Sequence, residues 1–377
     1  MAADFGNNII VSSFDKNNVS RQKGNGFIFL PAIFHYICIR KSYPNKQSDA
    51  DHSKLNGCQP ITQKRGYFSN PLNIKQVYFF YNITELFCMA DDFCTFFDAM
   101  MEKYTLKSDT KRRYHRDSTM SKAEIMLIMI LFHDSGYRCL KHFYLEKVCR
   151  HLRHLFPKIV SYNRFVELEK EVAVPLALFI KKVLLGKCTG ISFVDSTPLR
   201  VCRNQRIHIH KVFKGIAQRG KCSMGWFFGF KLHLICNEKG ELLNFMITPG
   251  DVDDRKPLEY KAFVEFIYGK LVADKGYIGK NLFRRMFVDG IQLITKLKSN
   301  MKGALMSVSD KLLLRKRAII ETVNDELKNI AQVEHSRHRS FDNFIVNILG
   351  AIAAYCMFPK KPCINVQRTF DTQLALF

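Results

Sequence analysis

The sequence predicts an α/β protein: a mixed sheet with flanking helices, preceded by an all-helical segment. Three observations predict it. Between about 78 and 185, apolar residues recur at three- and four-residue spacing. From 187 the period shortens, and β-rich runs alternate with turns and helical stretches. Two of those runs end in aspartates, Asp195 and Asp274, and a glutamate, Glu321, follows on a basic helical segment.

The elements follow in order. Residues 1–77 are rich in Asn, Ser, Lys and Gly with no sustained period, and read as a poorly ordered or irregular N-terminal extension. Residues 78–186 read as a helical domain. A first helix runs from Ile83 to Tyr104. Ser121 and Glu124 make a capping box before Ile125–Phe132, and Gly136 ends that helix. A third helix starts at Leu140 and stops before Pro157; Ser161 then caps a long segment, Tyr162 to Leu185. Basic residues on these helices (Lys111, Arg112, Arg113, Lys141, Arg150, Arg153) suit a helix-turn-helix-like DNA-binding module, or equally a plain helical bundle with a solvated basic surface.

Residues 187–358 read as the sheet domain and 359–377 as a tail. Gly190–Val194 is a buried strand. Trp226–Cys236 and Glu241–Thr248 form a hairpin around the turn Asn237–Gly240. A helix follows Pro257 to about Tyr268. Then come strand Lys270–Asp274, helix Gly279–Val288, strand Ile291–Thr295 and a basic helix to about Ile330. One strand, a hairpin, then alternating helix and strand is the order of an RNase H-like fold.

Composition narrows the partners. The chain has 377 residues, enough for two or three domains with real cores. A net charge of +24 favours a polyanion over a small neutral substrate. Twelve cysteines without a C-x-x-C pair read as reduced cytosolic thiols, which argues against a zinc site. The longest apolar stretches, Gly26–Cys38 and Ile345–Phe358, are too short to span a bilayer, so no membrane partner is expected.

The chemistry rests on the three acids. In the RNase H-like order the first and fourth strands are neighbours, so Asp195 and Asp274 meet at adjacent strand ends. The helix after the last strand brings Glu321 to the same edge. Carboxylates gathered there repel one another unless cations hold them. That suits two Mg²⁺ ions, with Mn²⁺ as a substitute, working on a phosphodiester. With the basic charge, the phosphodiester is nucleic acid.

Five segments then carry a family resemblance: Phe193-Val-Asp-Ser-Thr-Pro198, Trp226–Leu234, Thr248–Pro257, Ala273-Asp-Lys-Gly-Tyr277, and Arg315–Lys328 followed by His335–Ser340. Together they resemble bacterial insertion-sequence transposases of the DDE type, most closely the insertion-sequence nine-eighty-two family, over about 78 to 362. The resemblance implies a cytoplasmic, nucleoid-associated bacterial enzyme that works as a homo-oligomer on double-stranded DNA. It would cut at its element's terminal inverted repeats and join the ends to target DNA. Related transposases carry Tyr, Arg, Glu and Lys around the third acid. Arg317, Glu321 and Lys328 keep the spacing Arg-x3-Glu-x6-Lys, but Leu314 stands where the tyrosine is expected.

Arg317 and Lys328 share a helix face with Glu321 and are expected to grip phosphate oxygens. Lys231 and His233 alternate on one strand near the site and are candidates for phosphate contact or for packing. Trp226, the only tryptophan, is a candidate for base stacking, with a core position the commoner alternative. Arg337, His338 and Arg339 sit in a basic cluster and read as DNA contacts. Asp253 and Asp254 read as structural. Two other readings use the same residues: a transposase-derived DNA-binding protein without catalysis, and an RNase H-like structure-specific nuclease.

Overall fold

The computed structural model describes residues 74–104, 118–296, 306–334, 338–365 and 374–375. The expectations for the N-terminal extension before 74, for Lys111 to Arg113, for Arg337 and for the tail after 365 (bar Leu374–Ala375) lie outside the described residues. The chain divides into two units. Of the unit Ile28–Glu85, the described part is the start of helix α1, Ile74–Tyr104. All else below concerns the described residues from Leu86 onward.

In that unit α1 buries Leu86, Ala90 and Cys94, a four-residue repeat that puts one stripe into the core. Helix α2, Lys122–Asp134, starts at the capping box: Ser121 Oγ accepts from the Glu124 N–H at 3.1 Å, and Glu124 Oε2 accepts from the Ser121 N–H at 2.7 Å. Nearly all of α2 is buried, so its sequence is apolar all round rather than striped. Helix α3, Leu140–Phe143, widens into π-helical turns over Tyr144–His151.

The segment expected as one helix from 162 is a single path with three changes of hydrogen bonding. It begins as α4, Tyr162–Glu169, tightens to a 3₁₀ turn at Lys170–Val172, and resumes as α5, Ala173–Phe179, with a last wide turn at Ile180–Leu184. The break has a local cause. Pro175 has no N–H to give to the carbonyl four residues back, and its ring crowds that carbonyl.

The sheet holds β1 (Ile191–Cys202), β2 (Gln218–Cys222), β3 (Gly225–Asn237), β4 (Leu242–Pro249), β5 (Gly269–Ala273) and β6 (Ile291–Thr295). The main order is β4-β3-β1-β5-β6. β3 runs antiparallel to β1, with Asp195 opposite Leu234, and to β4; β5 runs parallel to β1 and to β6. This is the mixed α/β order expected of an RNase H-like sheet. Asn237 closes the β3–β4 turn, its Oδ1 accepting from the N–H groups of Lys239 and Glu241, both at 3.0 Å.

Two features depart from expectation. β1 continues well past Asp195 to Cys202, because the long β3 pairs with it along its full length. β5 pairs with β1 only as far as Phe193, which leaves that edge of β1 unpaired beyond and makes room for Pro198, a residue with no N–H to give. β2 extends the edge of β3 beyond β4, and its sequence, Gln-Arg-Gly-Lys-Cys, carries no alternation that would announce a strand. At the far end of β1 a bulge falls between Arg200 and Cys202. There Gly229 lets the strands close up, since a Cβ on it would lie 2.0 Å from the Leu199 carbonyl oxygen.

One sheet face buries Val194, Ile235, Leu271 and Leu293 under helices α6, Lys261–Val264, and α7, Lys280–Val288, which contribute Phe263, Leu282 and Met286. The helix expected after Pro257 is thus shorter than its pattern suggested, a 3₁₀ turn at Lys256–Glu259 and then α6. After β6 come the short strand β7, Met306–Ser307, which pairs with β8, Leu374–Ala375, and the basic segment. The segment is two helices, α8 Val308–Lys316 and α9 Ala318–Asn329, meeting at Arg317. α9 lies against β1.

Helix α10, Phe341–Met357, is the apolar stretch read from sequence only as a core segment. Thirteen of its residues, from Asn343 to Tyr355, are buried in an unbroken run. It packs on α2 and α5, so the helical segment and the sheet segment belong to one unit. The change at 187 is a change of secondary structure within that unit. Among the described residues, no helix is long and apolar enough to cross a membrane.

Candidate active site

Alternation along the strands sets the site. Val194, Leu271 and Ala273 face the α6–α7 side. By the two-residue period, Phe193 and Asp195 point to the opposite face, and so does Val272. Asp274 comes one step past the end of β5, where it continues that parity and precedes the 3₁₀ turn Lys275–Tyr277. Because Phe193 pairs in parallel with Val272, Asp195 and Asp274 leave the sheet at the same level. The third acid, Glu321, lies in the first turn of α9.

The electrostatics of Asp195 register all three acids. Burial, above all, pushes its carboxyl up to about 6; the Glu321 and Asp274 carboxylates push the same way, against the Ser196 N–H and the Arg317 guanidinium. Arg317 itself is nearly buried and forms an ion pair with the exposed Glu321. Asp195 therefore feels two other carboxylates and the Arg317 guanidinium, and Arg317 is paired with Glu321.

Asn324 holds Asp195 in place and Tyr277 lies near it, and neither was singled out from sequence. Asn324, one turn beyond Glu321 on α9, donates from Nδ2 to Asp195 Oδ2 at 3.1 Å. Its Oδ1 is buried with no partner among the described residues. Tyr277 is buried on the other sheet face, its hydroxyl without a hydrogen-bond partner among the described residues but within electrostatic reach of Asp195, Asp254 and Arg317. The three-residue step from Glu321 to Asn324 was a usable signal, since it places both on one helix face. Nothing in the sequence announced Tyr277 beyond its place in Ala273-Asp-Lys-Gly-Tyr277.

Hard carboxylate and amide oxygens suit a divalent cation such as Mg²⁺. The mutual repulsion felt at Asp195 and the unpartnered Asn324 Oδ1 fit such an ion by charge and donor type. Among the described residues, however, no three His, Cys, Asp or Glu side chains stand close enough to form one ligand group. Glu321 is turned to Arg317 instead.

The flanking candidates separate. Lys328 lies on α9 as expected, but its Nζ donates to the Pro198 carbonyl at 2.9 Å and faces Glu334 at 3.5 Å, which anchors the helix to β1. Lys231 and His233 do not reach a phosphate-facing surface. Lys231 is almost buried and tied to the Val252 carbonyl at 2.8 Å and Asp254 at 2.9 Å. His233 is 1% exposed, bonds Thr248 Oγ1 at 2.9 Å, and is held neutral by burial, which lowers its pKa to about 4. Both belong to the central strand β3 and share the face of Ile235, and the loop after β4 closes over Lys231. Asp253 pairs with Arg255, and Asp254 with Lys231, in keeping with structural roles.

Trp226 is not a core residue: it is 52% exposed, with the Arg219 guanidinium 4.9 Å and the Lys221 ammonium 5.9 Å from its ring centre. Its position near the open start of β3, opposite the polar strand β2, explains the exposure. His338 packs its ring against Phe344, and burial lowers its pKa to about 4, so at neutral pH it brings no positive charge. Arg339 is exposed and lines a cleft of about 720 Å³ with Arg138, Lys141 and Lys170.

Residues 185–341, which contain all three acids, match the family model described as a transposase DDE domain. That match supports a DDE transposase. Among solved structures the chain is similar to the piggyBac transposase of a cryo-EM synaptic complex with hairpin DNA, at a TM-score of 0.39 and 10% identity over 72% of each chain. No curated protein matches the chain.

Proposed function

We propose that this protein is a DDE transposase of the bacterial insertion-sequence type, closest to the insertion-sequence nine-eighty-two family. It binds the terminal inverted repeats of its element and catalyses cleavage and joining of DNA phosphodiesters. It does so in the cytoplasm, as a homo-oligomer assembled on double-stranded DNA. The observation that carries this reading is the electrostatic influence of Asp274 and Glu321 on the half-buried Asp195, inside the span that matches the transposase DDE domain.

Asp195, Asp274 and Glu321 are the residues that would hold the divalent cations. Bound there, such ions would neutralise charge on the attacked phosphate and lower the pKa of an attacking water or 3′-hydroxyl. The chain's own groups do the rest. Asn324 fixes the Asp195 carboxylate. Arg317, the cation nearest the acids, competes for Glu321 until a phosphate draws it away, since a guanidinium forks onto phosphate as readily as onto carboxylate. The exposed bases of the helical segment (Lys141, Arg150, Arg153), with Arg339 before α10, supply sequence-independent grip on the duplex.

The test is cleavage and joining of a duplex bearing the inverted repeat that flanks the reading frame, in Mg²⁺. Asp195→Asn, Asp274→Asn and Glu321→Gln are each expected to lose both reactions while still binding the duplex. Wild-type rates in any of the three would remove that residue from the site. Cleavage of DNA lacking the repeat, without joining, would instead assign a structure-specific nuclease.

A further inference from the structure

The acids use only the first half of β1. Beyond them the strand carries Arg200, ends at Cys202, and passes through Arg203 into the 3₁₀ turn Asn204–Ile209, which holds Arg206. All three arginines are exposed, and among the described residues none of them is in an ion pair. They line one cleft of about 920 Å³, backed by His210 and Phe213. The one carboxylate in that wall, Glu334, is already engaged. It accepts from the Arg200 N–H at 3.0 Å and faces Lys328 at 3.5 Å. A smaller cleft of about 320 Å³ shares Arg200 and Arg203 and reaches Trp226. Three guanidinium groups gathered within seven residues, without carboxylates to match them, favour an anion beside them.

The spacing sets the distance from the acids. Cys202, where β1 ends, stands seven residues beyond Asp195, about 24 Å at the usual strand rise. At 3.4 Å per base pair that is about seven base pairs of duplex. We propose that this cleft seats the DNA backbone beside the cut, past the end of β1, with its phosphates held by Arg203 and Arg206. The assignment rests on the transposase reading and gives it a direction: DNA leaves the acids toward the β1 bulge and the 3₁₀ turn. The clustered arginines suit a phosphate backbone better than a lone anion, because each planar fork can take a separate phosphate.

The experiment compares wild type, Arg203→Ala/Arg206→Ala, Arg203→Lys/Arg206→Lys and Lys239→Ala. Lys239 is the exposed residue of the β3–β4 turn, outside the cleft lining, and serves as the surface-charge control. Binding to a duplex carrying the flanking inverted repeat is measured across a salt series, and phosphate contacts are mapped by ethylation interference. Each phosphate contact contributes about 0.9 to the slope of log affinity against log salt, so the double alanine variant should lose about two from that slope. Interference should vanish at phosphates about seven base pairs from the cut. The double lysine variant should keep the slope while its interference pattern weakens, and Lys239→Ala should match wild type in both. An unchanged slope and footprint in the alanine variant would overturn the placement, as would equal binding of duplex RNA or of an acidic polypeptide. If the alanine variant fails to fold, the lysine variant decides, and a wild-type footprint from it overturns the placement. Wild-type protein that binds no duplex in a salt-dependent way would sink the transposase reading itself, a result the variants cannot imitate.

Discussion

Asn324 shows how much of the site is made by one hydrogen bond. Asp195 is half-buried within electrostatic reach of two other carboxylates, and its amide neighbour both fixes the carboxylate and leaves Oδ1 without a partner among the described residues. A buried acceptor left unmatched costs about 1–3 kcal/mol, so its orientation needs compensation from something that binds there. If the site holds divalent cations as proposed, Asn324→Ala should weaken their hold through Asp195. Side chains that orient metal ligands typically carry about 10- to 100-fold in affinity. The Mg²⁺ concentration at half-maximal cleavage should rise by that factor, with little change in melting temperature. An unmoved midpoint would show that Asn324 only packs α9 against β1. The three acids were legible from sequence because each stands at the end of an apolar run or on a helix of known face. Asn324 and Tyr277 were not, because their roles arise from side chains meeting across elements that lie far apart in the chain. Lys231 and His233 misled for the complementary reason. Alternation placed them on one strand face, but nothing local told that β3 is central and that this face is covered.

At the scale of elements, the strand β1 does two jobs that its sequence only half announced. The apolar run to Val194 reads as a buried strand. The polar continuation Ser196–Cys202 does not, and it is a strand because β3 supplies partners along its length. The register there depends on Gly229. A methyl group at that position would meet the Leu199 carbonyl oxygen at 2.0 Å, and backbone cannot give way as a side-chain tip can. Gly229→Ala should therefore separate the ends of β1 and β3. Overpacking of this kind costs about 1–3 kcal/mol, so a melting temperature several degrees lower is expected. Amide exchange should quicken at Leu199 and its neighbours while β5 and β6 stay protected. Unchanged exchange around Leu199 would mean that the pair tolerates the extra carbon. The helix elements were more legible than the strands. Ser121 and Ser161 cap where their sequence signals put them, whereas β2 was invisible because Gln-Arg-Gly-Lys-Cys has neither apolar alternation nor β-branched residues.

At the scale of the whole unit, the helical segment and the sheet are joined by polar contacts that span much of the chain. His133 on α2 donates from Nδ1 to the Ala331 carbonyl at 2.6 Å, just after α9, and Tyr355 on α10 donates to the Gly240 carbonyl at 2.7 Å in the β3–β4 turn. The third contact is the one that pH can break. Glu169 at the end of α4 is 2% exposed and accepts from Asn343 Nδ2 of α10 at 3.0 Å. Burial, opposed only in part by Asn343 and Lys170, raises its carboxyl from the ordinary 4.5 to about 8. Between those two values the folded protein keeps a proton that the unfolded chain has lost, so stability falls as pH rises through that window. Glu169→Gln preserves the shape and the acceptor for Asn343 but has no charge to bury. Its melting temperature should match that of wild type near pH 4.5, exceed it increasingly up to about pH 8, and hold a constant lead above that. Because α4 and α10 belong to one unit, the shift should appear equally in a helix-sensitive signal and in the fluorescence of Trp226 on the sheet. A lead that does not grow with pH would show that Glu169 is ionised at ordinary cost. A shift seen in the helical signal alone would show that the helices melt apart from the sheet.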